Sequence, residues 1–456
     1  MKKEEKKIGR REFLKVLGGS ALVTSAAMYG CAPKGEVKLA AQGEVPTEGM
    51  EYRTSATGDR VSLLGYGCMR WPTYEKPAAD GSVIDQQAVN ELVDYAIAHG
   101  VNYFDTAPVY VQGQSERATG IALRRHPRDR FFIATKMSNF SNPTRENSLA
   151  LYRNSFKQLQ VDYLDYYLLH SVGGGSGLGT FRERFIDNGI LEFLLREREA
   201  GRIRNLGWSF HGAVEVFDYL LAMGVKWDFV QIQMNYVDWR HASGRNVNAE
   251  YLYGELDKRG IPVVIMEPLL GGRLSRLNDH LVARLKQRRP TSSTASWAFR
   301  FAGSYPRVLT VLSGMTYMEH LQDNIRTYAP LEALTEEDFA LLEDTAQRML
   351  QFPTVPCTEC QYCMPCPYGL NIPAIFAHYN RCVNEGNVPK DNRDENYARA
   401  RRAFLVGYDR SVPRLRQASH CIGCDQCVSQ CPQSIDIPGQ LHRIDRFVEQ
   451  LRSGTL

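Results

Sequence analysis

Asn102-Tyr103-Phe104-Asp105-Thr106-Ala107-Pro108-Val109-Tyr110 is the stretch on which fold and chemistry both turn. An apolar run of strand type ends in a carboxylate, Asp105, and a phenol follows five residues later at Tyr110. The next apolar run, Phe131-Phe132-Ile133-Ala134-Thr135, is closed by Lys136, and the one after it, Leu164-Asp165-Tyr166-Tyr167-Leu168-Leu169, by His170. Four titratable side chains therefore gather at or just past the C-terminal ends of three consecutive strands. A phenol, an ammonium, a carboxylate and an imidazole placed together can pass a proton to or from a substrate oxygen.

Outward from this stretch, strand-like runs alternate with helical periodicity. The first strand and its glycine turn are read at Val61-Ser62-Leu63-Leu64-Gly65-Tyr66-Gly67. Further strands are read at 101–104, 131–135, 164–168, 203–207, 229–233, 263–266 and 308–312. Helices are read at 89–99, 149–159 and 213–223. Repeated strand–helix units over residues 51–345 predict an α/β fold, a parallel (β/α)8 barrel, whose chemistry belongs at the C-terminal ends of the strands. Gly173-Gly174-Gly175-Ser176-Gly177, directly after the His170 strand, reads as a loop on that face, either a lid or a surface loop.

The motifs Asp105-Thr106-Ala107 with Tyr110, Gly113-x-Ser115-Glu116, Lys136 after Ala-Thr and His170 after Leu-Leu resemble those of the aldo-keto reductases. The resemblance implies a catalytic tetrad of Tyr110, Asp105, Lys136 and His170, with Tyr110 as the proton donor, Lys136 easing its ionisation, Asp105 holding Lys136, and His170 bonding the substrate oxygen. It also implies a nicotinamide dinucleotide, NADP or NAD, and a small carbonyl or alcohol as substrate, with the direction of reaction open. By motif, Ser209 and Gln231 would bind the carboxamide, Met266 would lie against the nicotinamide, Gly314 would open the phosphate turn and Asn324 would meet the adenine end. The sequence departs from the family in two places. Phe210 follows Ser209 where the family has Asn, and Met266 replaces a stacking tyrosine. The basic residue that would grip a 2′-phosphate is not evident, although Arg326 is near; NADP is the reading taken over NAD.

Composition changes after residue 345. Nine of the eleven cysteines fall between Cys357 and Cys431, which is a metal-cluster pattern rather than a disulfide framework. Cys357-x2-Cys360-x2-Cys363-x2-Cys366-Pro367 is followed by Cys421-x2-Cys424-x2-Cys427-x3-Cys431-Pro432, and each run continues as Cys-Pro-x4-Ile-Pro, an internal duplication. This resembles the two-cluster bacterial ferredoxins, of the helical type with a long insert between the runs. The resemblance implies two [4Fe-4S] clusters, one on Cys357, Cys360, Cys363 and Cys431, the other on Cys421, Cys424, Cys427 and Cys366. The first run is one residue short before Cys366, which leaves Cys382 as a spare thiol and zinc as the rival metal. The charged segment from Ile375 to Leu415 reads as helical, so residues 346–456 are expected to form a small, mainly helical domain.

Residues 1–30 read as a targeting segment. Arg10-Arg11-Glu12-Phe13-Leu14-Lys15 precedes an apolar stretch from Val16 to Ala27 and resembles a twin-arginine export signal. Cys31 follows, with lipid anchoring at Cys31 and plain cleavage as alternatives, and residues 31–50 read as a linker. The formal net charge is +4, and residues 1–30 account for it with seven Lys/Arg against three Asp/Glu. The rest is balanced, which excludes the basic footprint of a nucleic-acid-binding protein. The expectation is an exported oxidoreductase, periplasmic or on the outer face of the membrane, with a redox partner. Free NAD(P)H is not expected there, so the dinucleotide is either held tightly or linked to the clusters. The alternative is an exported electron-transfer protein whose barrel serves as a docking platform.

Overall fold

The computed structural model describes residues 44–244 and 246–456. The twin-arginine-like segment and Cys31 lie outside the described residues. Among the described residues no helix is long and apolar enough to cross a membrane.

The chain enters through an antiparallel hairpin, β1 (Tyr52–Thr54) and β2 (Arg60–Ser62). Eight parallel strands then close a barrel: β3 (Leu64–Gly67), β4 (Tyr103–Asp105), β5 (Phe132–Met137), β6 (Leu164–Val172), β7 (Ile203–Phe210), β8 (Phe229–Gln233), β9 (Val263–Met266) and β10 (Val308–Ser313). They pair in chain order, and β10 returns to β3. The stretch read as the first strand is thus two elements. Val61 and Ser62 belong to the hairpin, and only Leu64–Gly67 joins the barrel. Val61 fills the barrel interior together with Tyr103, Tyr166, Leu168, Phe229, Val264 and Leu309. The hairpin is therefore a plug at the end opposite the site.

The strands are apolar on both faces because helices cover the outside of a parallel barrel. Three helices anticipated from periodicity are Gln86–Ala98, Arg145–Leu159 and Val214–Ala222. Asp85 and Thr144 cap the first two by accepting backbone N–H bonds from Ala88 and Asn147. The glycine run after β6 has a packing reason. A side chain at Gly212 would meet the Gly173 carbonyl oxygen at 2.1 Å, so the loops after β6 and β7 touch backbone to backbone.

The C-terminal region has an apolar core of its own, built from helices Ile372–Asn384, Tyr397–Ser411 and Ile437–Ser453, with Val355, Phe376, Phe404 and Leu441 among its buried residues. The duplication persists in three dimensions. Asn371 and Asp436 each cap a helix that begins Ile-Pro, and proline fits there because its missing N–H has no partner to lose. Glu359 and Gln361 in the first cysteine loop, and Gly423 and Asp425 at the matching places in the second, all have left-handed backbone.

Candidate active site

Asp105 ends β4, Lys136 lies within β5 and His170 within β6. Tyr110 sits in the turn after β4, held where its backbone N–H donates to the Ala107 carbonyl at 3.2 Å. The Gly113-x-Ser115-Glu116 motif secures this turn. The Ser115 hydroxyl donates to the Cys68 carbonyl at 2.8 Å, and Glu116 accepts from Thr135 at 2.6 Å. The helix that follows Tyr110 is thereby tied to β3 and β5.

The structure brings the four residues together. The Lys136 ammonium donates to Asp105 Oδ1 at 2.5 Å and to the Thr106 carbonyl at 2.8 Å, with both side chains of the ion pair buried. It lies 5.0 Å from the centre of the Tyr110 ring, and the His170 ring meets Tyr110 edge-on at 5.8 Å. Burial pushes Lys136 down from its ordinary range, and Asp105 opposes that. Burial lifts the Tyr110 phenol well above its usual range. The expected easing of the phenol by Lys136 therefore does not prevail in the resting site. The ammonium faces the ring while its bonds go to Asp105 and Thr106, and desolvation wins. Burial, then Lys136 and Arg184, hold His170 well below the usual imidazole range, so it is neutral.

Three residues that the strand pattern did not reveal complete the site. The Ser138 hydroxyl lies 2.6 Å from His170 Nδ1. Buried Arg184 donates to the His170 carbonyl at 2.8 Å and to Asn139 Oδ1 at 3.2 Å, clamping the ends of β5 and β6. The third is Tyr362, between Cys360 and Cys363. Its hydroxyl lies 3.5 Å from His170 Nε2, and it is close enough to the Tyr110 phenol to help raise it. The pattern of cysteines marked Tyr362 only as a spacer.

Tyr362 arrives there because the C-terminal domain sits on the barrel's C-terminal face. Arg70, after β3, donates to the Thr358 carbonyl at 2.7 Å, and Arg273, after β9, donates to Thr354 at 2.9 Å. Gln433 donates to Gln233 at the end of β8 at 3.0 Å. A side chain at Gly271 would lie 2.3 Å from Thr358, so that glycine is required for the docking. Glu267, with φ 56°, lies under this contact, and burial pushes its carboxyl up to about 7.

The residues assigned by motif to the dinucleotide line the same end of the barrel. Gln231 Oε1 is buried and has no partner in the protein, so it has an acceptor to offer an amide N–H, as a nicotinamide carboxamide would present. Ser209 is buried beside it in register and accepts from the Ser171 N–H at 2.7 Å, which leaves its own proton to donate. Met266 is half-buried at the end of β9. Gly314 is exposed after β10, with the Arg70 side chain against it, and Asn324 is buried and donates to Ser313 at 2.9 Å. Phe210 packs outward on Trp208 and Phe217. The nicotinamide end of the site fits the group.

The cysteines fall into two neighbourhoods. Cys357, Cys360, Cys363 and Cys431 lie near enough to disfavour one another's ionisation, and Cys427 does the same with Cys421, Cys424 and Cys366. The resemblance to two-cluster ferredoxins implied a crossed set of this kind; Cys363 also feels Cys427, so the two groups adjoin. Cys382 is apart, in a helix beside His378. Burial pushes the thiols of Cys357 and Cys360 up to about 12 and about 11. Thiolates in such surroundings call for a cationic centre, and the Glu359 N–H already points at Cys357 Sγ, 3.4 Å away. Among the described residues no three side chains converge on one point as for a single metal ion. A cuboidal cluster instead takes its thiolates at four separate irons. The donor set fits two such clusters.

A parallel barrel with this strand-end cluster, joined to a duplicated cysteine domain, defines a two-module oxidoreductase. Residues 63–347 match the Aldo/keto reductase family, and residues 356–436 match a 4Fe-4S dicluster domain. The chain belongs to the aldo/keto reductase family. It is 26% identical over 325 residues to the oxidoreductase YqkF of Bacillus subtilis, spanning 64% of this chain and 96% of that protein. It is 23% identical over 307 residues to L-galactose dehydrogenase of Arabidopsis thaliana, spanning 63% and 90%. Among solved structures, the holo form of aldo-keto reductase AKR11C1 from Bacillus halodurans matches with a TM-score of 0.51 at 24% identity, covering 65% of this chain and 96% of that one. An aldo-keto reductase from Klebsiella pneumoniae, solved with NADPH, matches with a TM-score of 0.50 at 24% identity, covering 65% and 94%.

Proposed function

We propose that the barrel interconverts a small carbonyl compound and its alcohol, with NADP, or NAD, as hydride carrier, and that the iron-sulfur clusters exchange electrons with an external redox partner. The observation that carries this reading is the buried Lys136–Asp105 pair under the Tyr110 ring, with neutral His170 beside the same phenol. When bound, a nicotinamide supplies or accepts the hydride, and Ser209 and Gln231 would hold its carboxamide. In the reducing direction Tyr110 gives its proton to the substrate oxygen. The phenolate left behind gains the attraction of Lys136, which is absent from the neutral phenol, so the interaction strengthens as charge develops. Asp105 keeps Lys136 protonated against burial. His170, oriented by Ser138 and Arg184, steadies the same oxygen. In the oxidising direction Tyr110 takes the alcohol proton.

The test is transfer of deuterium from 4-deuterated NADPH to a panel of carbonyl compounds, on protein purified without air. Wild type is expected to transfer the label. Tyr110→Phe is expected to lose transfer by roughly a hundred- to ten-thousand-fold, with iron content and dinucleotide binding kept. Equal transfer by the variant would end the reading. The proposal includes export by the twin-arginine route to the periplasm or the outer membrane face, supported by Arg10-Arg11-Glu12-Phe13-Leu14-Lys15. Replacing both arginines by lysine is expected to leave the protein in the cytoplasm, as read by fractionation.

A further inference from the structure

Tyr110 and His170 must both reach a substrate oxygen if the barrel works as proposed, and the inference below rests on that reading. In this structure both reach a hydroxyl that belongs to the protein. Tyr362 lies 3.5 Å from His170 Nε2 through its hydroxyl, and the His170 ring meets Tyr110 edge-on at 5.8 Å, with Tyr362 near enough to help raise the Tyr110 phenol. It is a phenol, a donor and acceptor in one atom, so it can satisfy both partners at once. Its backbone is held from the other side. In the chain Tyr362 directly precedes Cys363 and stands two residues after Cys360, and the loop is fixed on the barrel by Arg70 to Thr358 at 2.7 Å and by the close packing of Thr358 on Gly271.

We propose that Tyr362 is the gate of the barrel's oxygen site: its hydroxyl takes the position between Tyr110 and His170 that a substrate oxygen must occupy, and a substrate enters by displacing it. The cysteine domain thus reaches the barrel's chemistry directly. The residue that fills the oxygen site is anchored to a cluster ligand, so the cluster loop sets how readily the site opens. The gate also selects. A ligand that enters has to replace hydrogen bonds already made, which favours one whose oxygen accepts from Tyr110 and His170 together and disfavours an apolar one.

The test uses full-length, cluster-loaded protein and acetate as the probe, since a carboxylate oxygen can accept from both groups. Binding is read by the acetate methyl line width in proton NMR. Tyr362→Phe, with Tyr362→Leu as a second variant in case one fails to fold, is expected to bind acetate about tenfold more tightly than wild type, because the competing hydroxyl is gone. Iron and sulfide content should not change. Tyr110→Phe is expected to weaken acetate binding. If Tyr110→Phe weakens binding while both Tyr362 variants bind like wild type or worse, the gate is overturned and the oxygen site stands. If none of the variants alters binding, the oxygen site itself is overturned, and the gate with it.

Discussion

The barrel and the cysteine domain both bury groups that water would rather keep, and they do so by different means. In the barrel, Lys136 and Asp105 compensate each other inside a core drawn from all eight strands and their helices. In the cysteine domain, eight cysteines crowd around loops beside a far smaller apolar core, and burial with neighbouring sulfurs pushes the thiols of Cys357, Cys360 and Cys363 up despite the Glu359 N–H at Cys357. The first region balances its buried charges without a metal. The second needs one, because a core of that size holds few residues in place unless a metal adds its binding energy. The barrel should therefore fold whether or not iron is present, and the cysteine domain should not.

The largest effect that would sharpen this comparison is local to the barrel. Tyr110→Phe is expected to remove turnover while leaving the thermal transition and the cluster spectrum of wild type, so chemistry and stability separate there. The next breaks the other region. Cys431→Ser is expected to remove the cluster that it shares with Cys357, Cys360 and Cys363, lowering iron from about eight per chain to about four or fewer. Loops 357–363 should then be cut by protease while the barrel resists. Retention of about eight irons would refute the crossed ligand set.

The same contrast explains what could be read in the sequence. The barrel strands were visible as mainly apolar runs, but the runs read from the sequence end before the strands do. Lys136 continues β5, and His170 continues β6 to Val172, because a buried polar side chain with partners does not interrupt a backbone ladder. Val61 and Ser62 looked like the start of the barrel since a plug and a strand bury the same residue types. The tetrad could be read from its order along the chain. Arg184 and Tyr362 could not, since each acts through a docking between segments far apart in sequence. In the cysteine runs spacing carried nearly everything, and even the short interval before Cys366 still brings it beside Cys427.

Asp105→Asn probes the barrel's compensation at an intermediate scale. Removing one partner of a buried pair costs about 3–5 kcal/mol when the other stays charged. Burial already pushes Lys136 down, and Asp105 is the largest influence raising it. Without that carboxylate Lys136 loses its proton at lower pH. The alkaline limb of turnover, where charged Lys136 is required, should move to lower pH in the variant, as a pH–rate profile would show. An unmoved limb would mean that Lys136 is not the group being read.

The smallest effect compares the two regions under one perturbation. Each contains an imidazole held neutral by burial: His211 in the barrel and His378 in the cysteine domain, both pushed down to about 4. Unfolded, each titrates near the ordinary imidazole value of about 6.5. Below that pH the unfolded chain binds protons that the folded one refuses, so stability is full above about 6.5 and declines as pH falls toward 4. The barrel holds His170 neutral as well, so it takes up more protons, but they bear on a far larger core, and the cysteine domain should give way first. The five tryptophans all lie in the barrel, so their fluorescence reports that region, while cluster absorbance reports the other. On acid titration the cluster absorbance should fall before the fluorescence changes. His378→Gln, which can still donate to the Phe404 carbonyl that His378 Nε2 meets at 3.1 Å, should delay the loss to lower pH. Coincident transitions, unmoved by the substitution, would show that the two regions unfold as one unit and that the barrel is not independent of the domain on its face.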